Sequence, residues 1–187
     1  MKIVKCLQFA AEKHKGQERR CSGLPYIIHP ITVMHLLEKY KVSKNIEDLK
    51  CAAILHDTLE DTLCSYIEIE TEFGSLVASV VMELTSDEES IKKIGKNEYL
   101  KEKMLNMSKY ALTLKLVDRL ANILDTPKPN YLKDTLSLMA YLTDNRYDIT
   151  DTQKNIIRDI VFESVKKMND YSIVIWTTPP WREEIPN

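Results

Sequence analysis

The chain has 187 residues, 44% hydrophobic and 29% charged, which suffices for one domain with a full core. Its 26 basic and 28 acidic residues leave a net charge of −2, so it has no global electrostatic footprint for nucleic acid or an acidic membrane. No apolar run approaches membrane-spanning length, and the N-terminus lacks the uninterrupted apolar core of a secretory signal. The four cysteines (Cys6, Cys21, Cys51, Cys64) have no zinc-type spacing and read as reduced thiols in a cytoplasmic protein.

The pattern along the chain is helical throughout. Ile3, Val4, Leu7, Ala10 and Ala11 recur at helical spacing and predict a first amphipathic helix ending near His14-Lys15-Gly16. Glu18 to Pro30, with Gly23, Pro25 and Pro30, reads as an irregular loop. Helices are expected over 31–40 and 47–59, and Ser65 opens another that breaks at Gly74 and resumes through Val81 to Leu84. Ser86 to Glu89 reads as a turn, followed by a long charged segment over 91–107 and an apolar helix over 111–124. Pro127 and Pro129 stop that helix and open one over 130–142. A final amphipathic helix covers 151–170, with Ile156, Ile157, Ile160, Val161, Val165 and Met168 as its stripe. These elements define an all-α helical bundle, a single domain over 1–170, with a C-terminal tail over 171–187. In the tail, Ser172 to Trp176 fits a short strand or an apolar strap, and Pro179-Pro180-Trp181 is rigid and aromatic. Packing over its own core is the plain reading of the tail, and a contact in a homo-oligomer is the other.

The chemistry centres on His56-Asp57, at the end of the apolar run Ala52 to Leu55 and followed by Glu60-Asp61. His56 and Glu60 are four apart, as are Asp57 and Asp61, so on one continuous helix each pair shares a face. Alone, the motif more readily describes a helix end with solvated acids and one hydrogen-bonded histidine. Two further residues add weight: His29, before Pro30, and Asp118, the sole acid between Tyr110 and Leu124. A buried aspartate is costly unless paired or bound to a cation. Imidazoles and carboxylates without a thiolate form a mixed nitrogen and oxygen set that suits manganese, and also iron, zinc or magnesium.

The order His … His-Asp … Asp resembles the ligand pattern of the HD-domain phosphohydrolases. The runs His14-Lys15-Gly16-Gln17-Glu18-Arg19-Arg20, Pro25-Tyr26-Ile27-Ile28-His29-Pro30, Leu55 to Thr62, Phe73-Gly74 and Lys115 to Leu120 with Asn122 narrow it further. Together they resemble the hydrolase half of RelA/SpoT proteins, and most of all the free-standing small alarmone hydrolases of the metazoan SpoT-homologue type. The likeness runs from about Phe9 to Thr126, roughly two-thirds of the chain. It implies one Mn2+ on His29, His56, Asp57 and Asp118, with His29 entering from a loop and Asp118 from a facing helix. It implies that Glu60 and Asp61 position or activate the attacking water. It also implies that Arg19, Arg20, Tyr26 and Asn122 hold a nucleotide, a role that Arg's stacking plane and phosphate-binding fork suit. A buried core tyrosine is the other reading of Tyr26. Lys115 and Arg119 fit phosphate binding or a surface role, and His14 a buttress of the first helix. The chain departs from the pattern by one extra residue around Cys21 to Leu24, by Ala121 for a histidine or tyrosine, and by Asp125 for a threonine of the long enzymes.

The resemblance implies an enzyme that removes the 3′-pyrophosphate of (p)ppGpp or (p)ppApp, a small-molecule nucleotide substrate, with no nucleic acid and no membrane partner. Two rivals are a nucleotide phosphatase on the same scaffold, such as one removing the 2′-phosphate of NADPH, and a nucleotide sensor without catalysis.

Overall fold

The structure, a computed structural model, describes residues 2–20 and 22–177. Among them every regular element is a helix: α1 (Lys2–Lys13), α2 (Ile28–Tyr40), α3 (Ile46–Leu55), α4 (Thr58–Asp61), α5 (Tyr66–Phe73), α6 (Ser75–Leu84), α7 (Glu88–Ile94), α8 (Lys96–Asn106), α9 (Lys109–Leu124), α10 (Pro129–Asn145) and α11 (Asp151–Thr177). The expected all-α bundle is the fold. No helix of the described residues is long and apolar enough to cross a membrane.

Helix α9 is the axis. Its Ala111, Leu112, Leu114, Leu116, Val117, Leu120 and Ile123 are all buried, and α2, α3, α6 and α11 pack around it. A helix apolar on nearly every side belongs in a core. Against it lies α3, whose Cys51 to Leu55 are fully buried, and whose small Ala52 and Ala53 suit close approach by α1 and α2. The single charged position buried on both this axis and the site described below is Asp118.

Several boundaries differ from the sequence pattern. α2 begins at Ile28, so His29 stands on the first helical turn and not on a loop. Pro30 fits there because the first-turn amides have no intrahelical partner, so its missing N–H costs nothing. The helix expected over 47–59 is broken at His56-Asp57 into α3 and the single turn α4. Side chains end α3 by taking its last carbonyls: His56 Nδ1 donates to Ala53 O at 2.8 Å and Thr58 Oγ1 to Leu55 O at 2.7 Å. The charged segment over 91–107 is divided at Gly95, whose φ of +83° a residue with a Cβ rarely adopts. The loop before α2 is a small hairpin, with the bridge Glu18–Pro25 and Gly23 at φ +67°.

Helix α11 runs on through Thr177, so Ser172 to Trp176 are helical and not a strand. Extending an existing helix needs one bond per residue, whereas a strand needs a partner edge, and the described residues offer no sheet. Its buried stripe is Gln153, Ile156, Ile160 and Ser164, while Val161 and Val165 face outward. Gln153 satisfies its amide on Lys109 O and Thr113 Oγ1. Pro179-Pro180-Trp181 and Cys21 lie outside the described residues; Cys6, Cys51 and Cys64 are free thiols.

Candidate metal centre and its cavity

Three helices bring the candidate ligands together: His29 from the start of α2, His56 just after α3 and Asp118 from the middle of α9. One donor atom from each lies within 4.8 Å of the others, and all three residues are buried. His29 Nε2 is 3.1 Å from Asp118 Oδ1, and the two imidazole centroids are 5.2 Å apart. Asp57 stands at the edge of the cluster, its Oδ2 2.9 Å from His56 Nε2 and 3.9 Å from His29 Nε2. That same oxygen accepts the hydroxyl hydrogen of Tyr26.

His56 shows how well the set fits a cation. Its Nδ1 proton is committed to Ala53 O, which leaves Nε2 pointing into the cluster. Nε2 is buried and makes no aligned hydrogen bond, although Asp57 Oδ2 is close. Burial alone would lower the imidazole pKa, but Asp57 and Asp118 overcome it and push it up to about 10. The two carboxylates thus favour a positive charge at that nitrogen, proton or metal. Asp118 is also buried, yet Lys115 and the two histidines hold its carboxyl well below the usual range. Burial works against Asp57 too, but His56 holds it at about 2. Two imidazoles and oxygen donors without a thiolate suit a divalent metal.

Beside the cluster opens a cavity of about 620 Å³, lined by Gln17, Glu18, Arg19, Arg20, Tyr26, Asp61, Lys96 and Asn122. Its volume falls in the range of small-molecule sites. Asn122 Nδ2 donates to Asp118 Oδ1 at 2.8 Å and its Oδ1 accepts from Arg19 at 3.1 Å. Arg19 is also gripped by Asp125 Oδ2 at 2.8 Å and lies over the Tyr26 ring at 5.9 Å. On the other side of Arg19 is a smaller, mainly apolar cavity of about 250 Å³, walled by Leu24, Ile28, Ala121 and Leu124.

The two acids after His56-Asp57 differ in placement. Asp61 lines the cavity, and burial followed by the charges of Asp57 and Glu60 raises its pKa. Glu60 instead accepts from the Ser86 amide at 2.7 Å and ties α4 to the loop after α6. Arg20 lies exposed on the cavity rim. Arg119 is buried and donates to Thr135 at 2.7 Å, so it braces α9 against α10. Lys115 reaches Asp118 Oδ2 at 3.3 Å and belongs to the charge balance of the cluster. Gln17 and Lys96 were not singled out as site residues, since polar side chains in charged stretches carry no signal by type alone, and Asp125 was legible only as a departure from the family pattern. Their nearness to Arg19, Arg20 and Asn122 becomes visible only once the loop folds against α9.

The HD domain family profile matches residues 6–149. The chain belongs to the HD-domain family. Over 98% of its length it is 32% identical to a guanosine-3′,5′-bis(diphosphate) 3′-pyrophosphohydrolase of Aquifex aeolicus, of which the match covers 29%. It is 37% identical, over 66% of its length, to the enzyme of that name, MESH1, of Danio rerio, covering 68% of that protein. The HD chain thus spans under a third of the bacterial relative and about two-thirds of the animal one. A solved metazoan ortholog of SpoT, reported to hydrolyse ppGpp, matches with a TM-score of 0.67 at 30% identity, over 84% of this chain and 94% of that one. A Listeria monocytogenes crystal structure shares the fold at 17% identity, with a TM-score of 0.61 over 78% of this chain and 96% of that one. Within its family the chain is of the RelA/SpoT type.

Proposed function

We propose that this HD protein is a cytoplasmic, manganese-dependent alarmone hydrolase that takes the 3′-pyrophosphate from (p)ppGpp or (p)ppApp. The observation that carries the reading is the buried cluster of His29, His56 and Asp118, with Asp57 beside it, at the edge of a cavity walled by Arg19, Arg20 and Lys96. The relatives named for this reaction support the substrate class. The match over 6–149 and the packing of α11 on α9 support one catalytic domain over 1–170.

His29, His56, Asp57 and Asp118 would hold the metal. When bound, a divalent cation supplies charge neutralisation and Lewis-acid polarisation at a phosphoryl oxygen. The chain's own groups would do the rest. Asp61, raised in pKa and facing the cavity, would accept a proton from the attacking water. Water attacks the 3′-phosphorus, the bond between the ribose 3′-oxygen and phosphorus breaks, and that oxygen takes up a proton. Pyrophosphate and a nucleoside 5′-phosphate ester result. Glu60 would set the distance of Asp61 by anchoring their shared turn. Arg20 and Lys96 would meet phosphate charge, and Arg19, held flat by Asp125 and Asn122 beside the apolar cavity, would lie against the base. Tyr26 would serve chiefly through Asp57.

The relatives' names favour this reaction over NADPH 2′-phosphatase activity, and the assembled cluster favours it over a non-catalytic sensor. The test is incubation with Mn2+ and, separately, ppGpp, ppApp and NADPH, with products resolved by ion exchange. Pyrophosphate from an alarmone is expected. Orthophosphate from NADPH alone would transfer the function to the phosphatase, and tight alarmone binding without turnover would make the protein a sensor.

A further inference from the structure

Helix α4 is one turn of four residues, yet it carries Asp61. A single turn is not stable through its own bonds, and its last carbonyls have no partner within it. Something outside must hold it. The Asp61 carbonyl accepts from Gln17 Nε2 at 2.8 Å, across the cavity wall from the hairpin loop. Gln17 Oε1 in turn accepts from His14 Nδ1 at 2.8 Å, and this fixes which way round the amide sits. With its oxygen facing a donor, its NH2 end must face Asp61.

His14 is itself locked. It is buried at the end of α1 and its ring packs on Tyr26 with centroids 4.8 Å apart. Its Nε2 is buried without a hydrogen-bond partner. An unpaired buried nitrogen costs free energy that an apolar side chain of similar size would avoid. Packing alone therefore does not account for a histidine here; the Nδ1 bond to Gln17 does.

We infer that His14 and Gln17 are positioning residues, which hold the Asp61 carboxyl at its working place through the backbone of α4. The inference rests on Asp61 being the working acid. Neither residue bonds to His29, His56, Asp57 or Asp118, and His14 is linked to Asp57 at one remove, through the Tyr26 ring, so their loss acts first on the placement of the acid.

Four variants dissect the relay: Gln17→Leu, Gln17→Glu, His14→Gln and His14→Asn. Gln17→Glu keeps the contact with His14 but cannot donate to Asp61, and it serves should Gln17→Leu fail to fold. Asparagine places its amide N–H near the imidazole Nδ1, whereas glutamine places it near Nε2. Steady-state kinetics, Mn2+ affinity by calorimetry and amide hydrogen exchange over residues 58–62 are read on each variant. Gln17→Leu, Gln17→Glu and His14→Gln are expected to lower kcat about ten- to a hundredfold, the scale of a small misplacement. Mn2+ affinity stays unchanged in the Gln17 variants, KM moves less than kcat although Gln17 lines the cavity, exchange over 58–62 quickens, and His14→Asn restores most of kcat and exchange. The inference is overturned by a Gln17 variant with unchanged kcat and exchange, or by His14→Asn failing as badly as His14→Gln. If the wild-type protein does not hydrolyse an alarmone, the proposed function falls, and the exchange measurement alone decides the relay.

Discussion

Asp57 is held from two sides, and the balance between them tells what it is for. Burial favours its neutral form, but the nearby His56 and the Tyr26 hydroxyl keep it ionised down to about pH 2. Tyr26 is driven the opposite way, its phenol pushed up by burial and then by Asp57, so it remains a donor throughout the working range. A hydrogen bond of this kind orients a carboxylate for a cation, and losing it typically costs ten- to a hundredfold in metal affinity. Tyr26→Phe is therefore expected to bind Mn2+ about tenfold more weakly with unchanged circular dichroism. Calorimetric titration decides it: wild-type affinity in Tyr26→Phe would mean that the hydroxyl serves the substrate and not the ligand. At this scale the sequence was informative where a residue is out of place. Asp118 is a lone acid in an apolar helix, and His29 and His56 border apolar runs, so each stood out by its surroundings. Gln17, Asp125 and Lys115 act through contacts made across 44, 106 and 3 positions, and only the first two needed the fold to be seen.

The helices themselves follow from hydrophobic period and cap chemistry, and α5 shows how. Ser65 Oγ accepts the Glu68 amide while Glu68 Oε2 accepts the Ser65 amide at 2.8 Å, a reciprocal cap at the helix start. Glu68 also takes Lys13 from α1 at 2.6 Å, so the cap ties two elements. Lys13, followed by Ser65, lowers the Glu68 carboxyl from 4.5 to about 2. A carboxyl whose folded pKa lies below its unfolded one stabilises the fold above the unfolded value, and the contribution is lost as pH falls through the folded one. The cap should thus support α5 fully above pH 4.5 and fade toward pH 2. Ser65→Ala is expected to cost about 1 kcal/mol at neutral pH and to flatten the acid limb of stability between those values. Urea unfolding at several pH values checks it; an unchanged acid limb would show that Lys13 and the residue-65 amide, and not the hydroxyl, set the Glu68 pKa. What period and caps did not reveal were the breaks. Nothing in the spacing of Ala52 to Asp61 distinguishes one helix from two, because His56 and Thr58 make the break by bonding back to Ala53 and Leu55. The break matters for chemistry, since it turns Asp61 toward the cavity and gives Glu60 to the Ser86 amide.

For the molecule as a whole, the ligand cluster is where α2, the end of α3 and α9 converge, the same helices that share the core. In a metal-free chain the buried carboxylates of Asp57 and Asp118 lean on Lys115, His29, the Tyr26 hydroxyl and a proton on His56, with charged groups held at the cost of burial. A cation binding the folded chain and not the unfolded one shifts the folding equilibrium by mass action, by about 2.7 kcal/mol at a hundredfold excess over Kd. For a chain of this size that corresponds to roughly 5–10 °C in Tm. Thermal unfolding of chelator-treated protein with added Mn2+ should show this rise, and Asp118→Ala should abolish it while remaining helical. The sign with pH also follows. Ligand histidines must be neutral to bind, and His56 loses its proton only near pH 10, so the Mn2+-induced rise in Tm should keep growing as pH increases from neutral toward that value. A rise that is independent of pH, or that survives Asp118→Ala, would place the metal somewhere other than this junction of three helices.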